Sequence, residues 1–451
     1  MGGFVRADRG QYHLHVTTSS PMTEPIAFTD SSERFAKAMD ERDALSWCRD
    51  LFHIPASRAH EDGRPSVYLV GNSLGCMPKA ASEQVERELQ DWRRLGVDAH
   101  MEARTPWYSY HEVLRDSAAR LVGALPDEVV MMNSLTVNLH LMLASFYRPA
   151  GTRTKIVIED AAFPSDSYAV QSQIVHHGLD PAEHLIRVLP RDGEHTLRTG
   201  DVCALIRDRR HEIALVLLPG VNYRTGQLFD MEAITSAARE AGARIGWDLA
   251  HAAGNVPMSL HDCEPDFAVW CTYKYLNAGP GSTAGCFVHQ RNARDTSLPR
   301  LAGWWGNDPA TRFEMTPDFV PVPRADAWSL SNPSVLSMAP LKASLEIFER
   351  VGIEALRRKS VRLTAYLEYL LGSLGSPQIT LITPTDPEAR GCQLSIAVAD
   401  GAQTLHETLC RSGVLVDFRQ PNIIRAAPVP LYNSFHDVWT FVQVLRRHVA
   451  R

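Results

Sequence analysis

Short apolar runs alternate with helix-like segments along most of this chain of 451 residues, and this alternation limits the possible folds more than any other feature. Residues 155–158, 213–218, 243–248 and 267–271 are apolar runs of strand length, and segments such as 231–241 between them have helical character. Parallel strands need a crossover connection, usually a helix, and are buried on both faces. The pattern therefore predicts an α/β domain with a mostly parallel sheet.

The regular alternation ends near residue 340, which indicates a second domain. We expect a large domain over 67–338 and a small C-terminal α+β domain over 339–451. The segments expected in the small domain are helices at 341–348, 354–374 and 434–448 and strands at 379–382, 393–398, 414–418 and 422–426.

The N-terminal part is predicted to be an appendage of these two domains. Residues 1–30 are polar and aperiodic, so we expect a flexible arm, within which Met22 is an alternative start. Residues 31–66, with a helix at 31–49, are expected to pack against the small domain.

Composition excludes several classes of partner. The formal net charge of −6 provides no basic surface for nucleic acid. Apolar runs fall far short of the ~20 residues that span a bilayer, and the N-terminus lacks signal-peptide and myristoylation patterns. The eight cysteines are scattered without a CxxC pair, which is typical of reduced thiols and not of a metal cluster. We therefore expect a cytoplasmic protein.

Lys274 is the most unusual residue at a predicted strand end. It follows the apolar run 267–271, lies between Tyr273 and Tyr275, and precedes a turn rich in Gly and Pro. Burial of an ammonium group lowers its pKa, which favours an amine that can form a Schiff base. Taken alone, the stretch fits a surface lysine equally well.

Three other predicted strand ends carry polar groups, and open α/β sheets bind ligands at this edge. Residues 132–136 lead into a helix, where free amides and the Thr136 hydroxyl form a possible phosphate site or an ordinary helix cap. Residues 160–166 offer the Phe163 ring and Asp166, which a core phenylalanine and an acidic cap also explain. Asp248 ends a buried strand and His251 follows one helical turn later; a metal site there lacks a third ligand.

These four strand ends together match the needs of pyridoxal phosphate (PLP). The cofactor needs a lysine for the Schiff base, a carboxylate that keeps the ring nitrogen protonated, and an anion-binding helix terminus. Lys274, Asp248 and the segment around Thr136 supply these groups in a consistent order. We therefore predict a PLP enzyme.

The sequence also resembles the kynureninase family of PLP enzymes, from about residue 35 to the C-terminus. The resemblance depends on residues 71–75 (GNSLG), 132–140 (MNSLTVNLH), 163–166 (FPSD), 247–251 (WDLAH), 273–277 (YKYLN) and 425–434 (RAAPVPLYNS). It implies the aspartate-aminotransferase (type I) fold, with a seven-stranded sheet in the large domain and a smaller α+β domain.

The resemblance implies a role for individual residues. Lys274 is expected to bind PLP covalently and to move the substrate's Cα proton, Asp248 to pair with the ring nitrogen, and Tyr273 to assist catalysis. Arg425 is expected to bind the substrate carboxylate, a bidentate task. The other residues expected around the cofactor are Leu135, Thr136, Phe163 (stacked on the ring), Pro164, Ser165, Asp166, His251, Trp304 and Asn332.

The resemblance also implies a substrate and an assembly. Ser73, His100 and Asn332 are expected around the aryl ring, and the His and Asn favour competence toward 3-hydroxykynurenine. Pro219 stands where some family members have a small hydroxyl residue, so that contact is in doubt. The implied protein is a homodimer in which Trp304 and Asn332 reach the neighbouring subunit's site.

The implied reaction is hydrolysis of the Cβ–Cγ bond of L-kynurenine or its 3-hydroxy form, giving anthranilate or 3-hydroxyanthranilate and L-alanine, as in tryptophan catabolism. Alternatives are a cysteine desulfurase, an aminotransferase and a non-catalytic PLP-binding regulator. A desulfurase has His over the ring and a reactive Cys on a C-terminal loop, whereas this chain has Phe163, with Cys392 in a predicted strand and Cys410 in a predicted helix. A non-catalytic regulator would lack the arginine that binds the substrate carboxylate, for which this chain has Arg425.

Overall fold

The computed structural model describes residues 28–59 and 61–449. The predicted arm lies almost entirely outside these residues, as does the alternative start at Met22.

Helices and strands occur in both the predicted large domain and the predicted small domain. The strands are β1 (Phe52–His53), β2 (Val67–Tyr68), β3 (Met77–Pro78), β4 (Val129–Met131), β5 (Lys155–Glu159), β6 (Leu185–Val188), β7 (Ile213–Pro219), β8 (Arg244–Asp248), β9 (Phe267–Trp270), β10 (Gly285–Val288), β11 (Ile379–Leu381), β12 (Leu394–Val398), β13 (Val414–Leu415), β14 (Asp417–Arg419) and β15 (Ile423–Ala426). The α-helices are α1 (Glu33–Glu41), α2 (Ala81–Leu95), α3 (Ala99–Glu102), α4 (Arg115–Val122), α5 (Leu135–Phe146), α6 (Pro164–His176), α7 (Pro181–His184), α8 (Thr199–Asp208), α9 (Met231–Glu240), α10 (Leu260–Cys263), α11 (Gln290–Ala293), α12 (Val335–Val351), α13 (Ile353–Gly372), α14 (Ala402–Arg411) and α15 (Phe435–Arg446). Short 3₁₀ helices lie at Ser46–Leu51, Gly96–Asp98, Trp107–Leu114, Pro126–Glu128, Trp304–Gly306, Arg312–Glu314, Ala325–Trp328 and Pro387–Ala389.

The large sheet has seven strands in the order β4-β10-β9-β8-β7-β5-β6. Strands β9, β8, β7, β5 and β6 are parallel to their neighbours in this row, and β10 is antiparallel to both β4 and β9. This arrangement confirms the predicted α/β fold with a mostly parallel sheet.

Alternate side chains of β7 explain why the sheet is covered on both faces. Val216 and Leu218 pack into one buried cluster, while Leu215 and Leu217 pack into another. Successive side chains of a strand point to opposite faces, so a continuous apolar run fits a sheet with helices on each side.

A second sheet lies in the C-terminal part, with the antiparallel order β11-β12-β15-β14. The upstream segment contacts this part directly: the Asp40 carboxylate accepts from the backbone N–H groups of Phe435 (2.6 Å) and His436 (3.1 Å) at the start of α15. The strand β13 pairs in parallel with β2, so the C-terminal part also contacts the segment that precedes α2. The domain boundaries themselves stay a prediction.

Two predicted elements were wrong, and other observed elements were not predicted. The helix expected at 31–49 ends at Glu41, because Asp43 accepts from the Leu45 amide (3.0 Å) and pairs with Lys359 (2.7 Å). The strand expected at 414–418 is divided between β13 and β14. The strand β6 was not predicted, since Arg187 interrupts its short apolar run. The helix α8 was not predicted either.

The parallel strands deliver their last residues to one edge of the sheet. Glu159, Pro219, Asp248 and Trp270 end β5, β7, β8 and β9. The helix α6 begins close after β5, and α5 begins close after β4. In the part of the chain described, no helix combines the length and hydropathy needed to cross a bilayer.

Candidate active site

Lys274 lies on a loop that the structure fixes tightly after β9. The Thr272 hydroxyl lies 2.6 Å from the Ser282 hydroxyl and donates to the Thr283 carbonyl (2.7 Å). The Gly75 amide donates to the Tyr273 carbonyl (2.9 Å), and a Cβ at Gly75 would lie 2.3 Å from the Lys274 carbonyl oxygen. Only glycine allows this close approach, so the 71–75 segment supports the lysine loop.

The Lys274 amine faces three rings. Its Nζ lies 3.2 Å from Nε2 of His251, 5.8 Å from the centre of the Phe163 ring and 5.9 Å from that of Tyr273. Burial, reinforced by the Lys274 charge, holds the pKa of His251 well below its usual range. His251 is therefore a neutral imidazole, and its buried Nδ1 has no hydrogen-bond partner in the described structure.

Two buried carboxyl groups form a pair beside this lysine. Asp248 ends β8, and its Oδ1 accepts from the Ala250 amide (2.7 Å). Asp166, in the first turn of α6, shares a side-chain hydrogen bond with it. Burial raises the pKa of both groups, and the charge of Asp248 raises that of Asp166 further, whereas Lys274 opposes both rises. The shared hydrogen bond raises the pKa of Asp166 and lowers that of Asp248, which favours a proton on Asp166 that donates to Asp248.

Arg425 provides a buried cation on β15, with 1% of the residue exposed. Its Nη1 donates to the Tyr223 carbonyl (2.6 Å) and its Nη2 to Asp417 (2.6 Å), while its buried Nε has no partner in the described residues. The Tyr223 ring packs edge-on against Phe163, with ring centres 5.1 Å apart. Arg425 thus connects to the aromatic side of the lysine site through Tyr223.

The predicted phosphate site lies at the start of α5 and stays a prediction. Leu135 and Thr136 are its first residues, and the Ser134 side chain makes no capping hydrogen bond. Asn133 has a positive φ of 50°, and the turn is held by Asn138, whose side chain donates to the Met132 carbonyl (3.0 Å). The first-turn amides therefore lack a side-chain acceptor and suit an anion.

The structure does not join every predicted residue to Lys274. His100 packs edge-on against Trp107, the Trp304 indole donates to the Arg312 carbonyl (3.2 Å), and Asn332 is exposed. Within 28–59 and 61–449, none of these three has a hydrogen bond, ion pair or ring contact with Lys274. Other predicted site residues lie at surfaces or edges: Ser73 and Pro164 are exposed, Ser165 is half-buried, and Pro219 pairs in register with Asp248.

Sequence reasoning missed four polar residues near the site. Asp417 and Tyr223 hold Arg425, and Glu159 accepts from the Asn222 side chain (2.9 Å). The signal that singled out Asp248, an acidic residue at the end of a buried strand, applies equally to Glu159. No local pattern marks Asn222, since its contact spans 63 positions.

A His and Glu cluster lies near the start of α11. Possible ligand atoms of Glu128, His261 and His289 lie within 4.8 Å of one another. The Glu128 carboxylate already accepts from the amides of Leu125 (3.0 Å) and Gln290 (2.8 Å). His289 Nδ1 accepts from a backbone amide, which leaves its proton on Nε2, the atom that would bind a metal. The absence of a metal requirement stays a prediction.

Comparison with known proteins decides the family. The family model for the kynureninase C-terminal domain matches residues 356–445. The kynureninase of Myxococcus xanthus is 54% identical over 95% of this chain and 99% of its own length. That of Koribacter versatilis is 54% identical over 92% of this chain and 97% of its own length. This chain belongs to the kynureninase family.

Solved structures show that the kynureninase-family chain shares its fold with cysteine desulfurases. The apo enzyme of Thermococcus onnurineus superposes with a TM-score of 0.71 at 20% identity, covering 85% of this chain and 94% of the other. The desulfurase CsdA of Escherichia coli gives 0.72 at 18% identity, covering 89% and 98%. At such identities the likeness concerns the fold alone.

The cysteines of this kynureninase-family chain differ from the desulfurase expectation. Cys392 was predicted to lie in a strand, but it precedes β12. The residue is fully buried, and burial raises the pKa of its thiol to about 12. Cys410 lies in α14, as predicted, and burial raises its pKa too. Neither thiol is a ready nucleophile.

Proposed function

We propose that this protein is a PLP-dependent kynureninase. It hydrolyses the Cβ–Cγ bond of L-kynurenine or 3-hydroxy-L-kynurenine and yields L-alanine with anthranilate or 3-hydroxyanthranilate. The observation that carries the proposal is one cluster in a kynureninase-family chain: an amine on Lys274, the buried Asp166–Asp248 pair, and the buried guanidinium of Arg425.

The residues present fit PLP. The first turn of α5 has amides without a side-chain acceptor for the phosphate, and Phe163 is 38% exposed, so its ring is available for stacking. The unpartnered Nδ1 of His251 offers a polar contact. The pair Asp166–Asp248 supplies the carboxylate expected at a pyridine nitrogen.

We propose a role for each residue that would hold the cofactor. Lys274 would bind it covalently through its amine, Asp248 would accept from the ring nitrogen, and Asp166 would hold Asp248 in place. The residues proposed for the phosphate or the walls of the site are Leu135, Thr136, Pro164, Ser165, His251, Tyr273, Trp304 and Asn332. When bound, PLP supplies an electron sink for the negative charge that develops on the substrate.

Arg425 would bind and orient the substrate carboxylate. Its two Nη groups are held by Tyr223 and Asp417, so the guanidinium cannot rotate freely, and its Nε remains available in the described structure. A planar, charged donor suits a carboxylate better than an ammonium group does.

Lys274 and Tyr273 would move protons. The Lys274 amine takes the proton from the substrate's Cα, and the neutral imidazole of His251 beside it does not compete as a cation. Burial raises the pKa of Tyr273, so its hydroxyl keeps its proton and can donate it at Cβ. Such acid–base assistance is worth ~100- to 10,000-fold in rate.

The aryl ring would lie near Ser73, His100 and Asn332, and we propose a homodimer. Trp304 is 42% exposed and Asn332 is also exposed, as expected of residues that complete a neighbour's site. The cytoplasm is the proposed compartment, since the cysteines of the described residues are free thiols.

Turnover of both substrates by one PLP-reconstituted preparation tests the proposal. Release of anthranilate or 3-hydroxyanthranilate together with alanine supports it, and the ratio of the two kcat/KM values gives the preference. If neither aromatic product forms, the proposed function is wrong.

A further inference from the structure

Glu159 is a buried acidic residue to which the proposed function gives no task. It ends β5, two places from β8 in the sheet, and only 4% of it is exposed. The Asn222 side chain donates to its Oε2 (2.9 Å), and no arginine, lysine or histidine pairs with it in the described structure. A buried carboxyl with one neutral partner is costly to ionise.

Asn222 is itself fixed, so it holds Glu159 in place. Its Oδ1 accepts from the amides of Arg224 (2.9 Å) and Thr225 (2.8 Å) and from the Thr225 hydroxyl (3.1 Å). Those bonds orient the amide group and point its Nδ2 at Glu159. The contact is therefore built by the turn after β7.

Glu159 is near the acid pair and also lines a cavity. Its charge acts on both Asp166 and Asp248. This cavity has a volume of about 140 Å³, and neither member of the pair lines it. This volume has room for several water molecules.

The charged and titratable groups around Glu159 come from every adjoining element. They are Asp166 of α6, Asp248 of β8, Tyr223 and Arg224 of the turn after β7, Glu194 and His195 of the loop after β6, and neighbouring Asp160. His195 is exposed and Glu194 is half-buried, so the cavity borders the surface.

We propose that Glu159 is a positioning residue that exchanges a proton with water in this cavity and, through its charge, sets how firmly the Asp166–Asp248 pair holds its own proton. When Glu159 loses its proton to water, the added negative charge strengthens the hold of Asp166 on its proton. Asp248 then keeps a neutral donor beside it. Burial raises the pKa of Glu159 to about 7, which places this exchange near neutral pH.

The inference depends on the proposed function, because the pair acts on the cofactor ring. A protonated ring nitrogen adds positive charge beside Asp248, and positive charge favours the ionised form of Glu159. Binding of PLP to the apoprotein therefore releases a proton from Glu159, up to about half a proton at pH 7.

Proton release on PLP binding tests the inference without turnover. It is measured by titration calorimetry of apoprotein with PLP in buffers of different ionisation enthalpy between pH 6 and 8. In the Glu159→Gln variant we expect the proton release at pH 7 to fall by up to about half a proton. The Kd for PLP should then change with pH less steeply than in the unaltered protein, by a factor of about three per pH unit. Glu159→Asp, which keeps a titrating group, is expected to restore part of the release.

Glu194→Gln is the matched control, since Glu194 lines the same cavity but pairs with Arg198 at the surface. It is expected to behave as the unaltered protein. If the Glu159→Gln variant releases as many protons as the unaltered protein, the role of Glu159 is refuted and the proposed function is not affected. If the unaltered protein binds no PLP, the proposed function fails as well, so the two failures are distinguishable.

Discussion

Nζ of Lys274 and Nε2 of His251 lie 3.2 Å apart, and the imidazole is buried and neutral. A neutral ring can accept from the ammonium form of Lys274 and adds no opposing charge when the amine takes up a proton. The Lys274 amine thus lies beside a buried, neutral hydrogen-bond partner.

Replacing Lys274 with alanine removes both the covalent attachment of PLP and the proposed base. We expect turnover of kynurenine to fall ~100- to 10,000-fold from loss of the base alone. The absorbance band of lysine-bound cofactor should also disappear. Lys37→Ala removes an exposed lysine that pairs with Glu33 and serves as the control. Full turnover by the Lys274→Ala protein would refute the PLP assignment.

Arg425→Lys is expected to lower kcat/KM about 10- to 100-fold, because an ammonium group cannot make the same set of charged hydrogen bonds. Steady-state kinetics should show this mainly as a higher KM. Arg419→Lys is the matched control: Arg419 contacts the same Asp417 (3.2 Å) but is much more exposed. Equal losses in both variants would show that Asp417, not the substrate, accounts for the effect.

Glu159 should make the apoprotein less stable as pH rises. Well below pH 4.5 the Glu159 carboxyl is protonated in both the folded and the unfolded state, so it adds no pH dependence to the free energy of unfolding. The unfolded state ionises near 4.5 and the folded state near 7, so stability falls across this window and then levels off. The loss is on the order of 3 kcal/mol.

Urea unfolding of the apoprotein at pH 5 and pH 8 measures this loss. The Glu159→Gln variant should lose less stability than the unaltered protein between these two values, since its amide does not titrate. Identical pH dependence in both proteins would mean that the carboxyl of Glu159 ionises freely when folded.

Gly75→Ala is expected to destabilise the protein by about 1–3 kcal/mol and to weaken PLP binding. The new Cβ would lie 2.2 Å from the Asn277 side-chain oxygen and 2.3 Å from the Lys274 carbonyl oxygen, so the lysine loop must move. Gly200→Ala in α8 has open space and should be neutral or stabilising. Thermal unfolding and PLP titration of the two variants measure the contrast.

The residues that the sequence revealed are those whose local setting is unusual. Lys274 and Asp248 each follow a long apolar run, so a charged side chain there stands out from its neighbours along the chain. The strands β5, β7, β8 and β9 were likewise placed within about two residues, because continuous burial leaves a continuous apolar run.

The residues that sequence reasoning missed act through partners far along the chain. Asn222 matters because it reaches Glu159, 63 positions away, and Asp417 because β14 pairs with β15 to bring it to Arg425. The strand β6 escaped notice because Arg187 interrupts a run of only four residues. Pairing in space decides these cases, and a local pattern carries no record of it.

The parallel pair β2–β13 has a consequence for synthesis of the chain. Its partners, Val67–Tyr68 and Val414–Leu415, are separated by about three quarters of the sequence, and Arg425 follows ten residues after Leu415. The ribosome therefore releases Gly75 and Lys274 well before Arg425, the residue proposed to bind the substrate carboxylate, has been synthesised. Until β14 and β15 emerge, the nascent chain lacks both Arg425 and the Asp417 that holds it, so the proposed carboxylate site can form only after all seven strands of the large sheet have been synthesised.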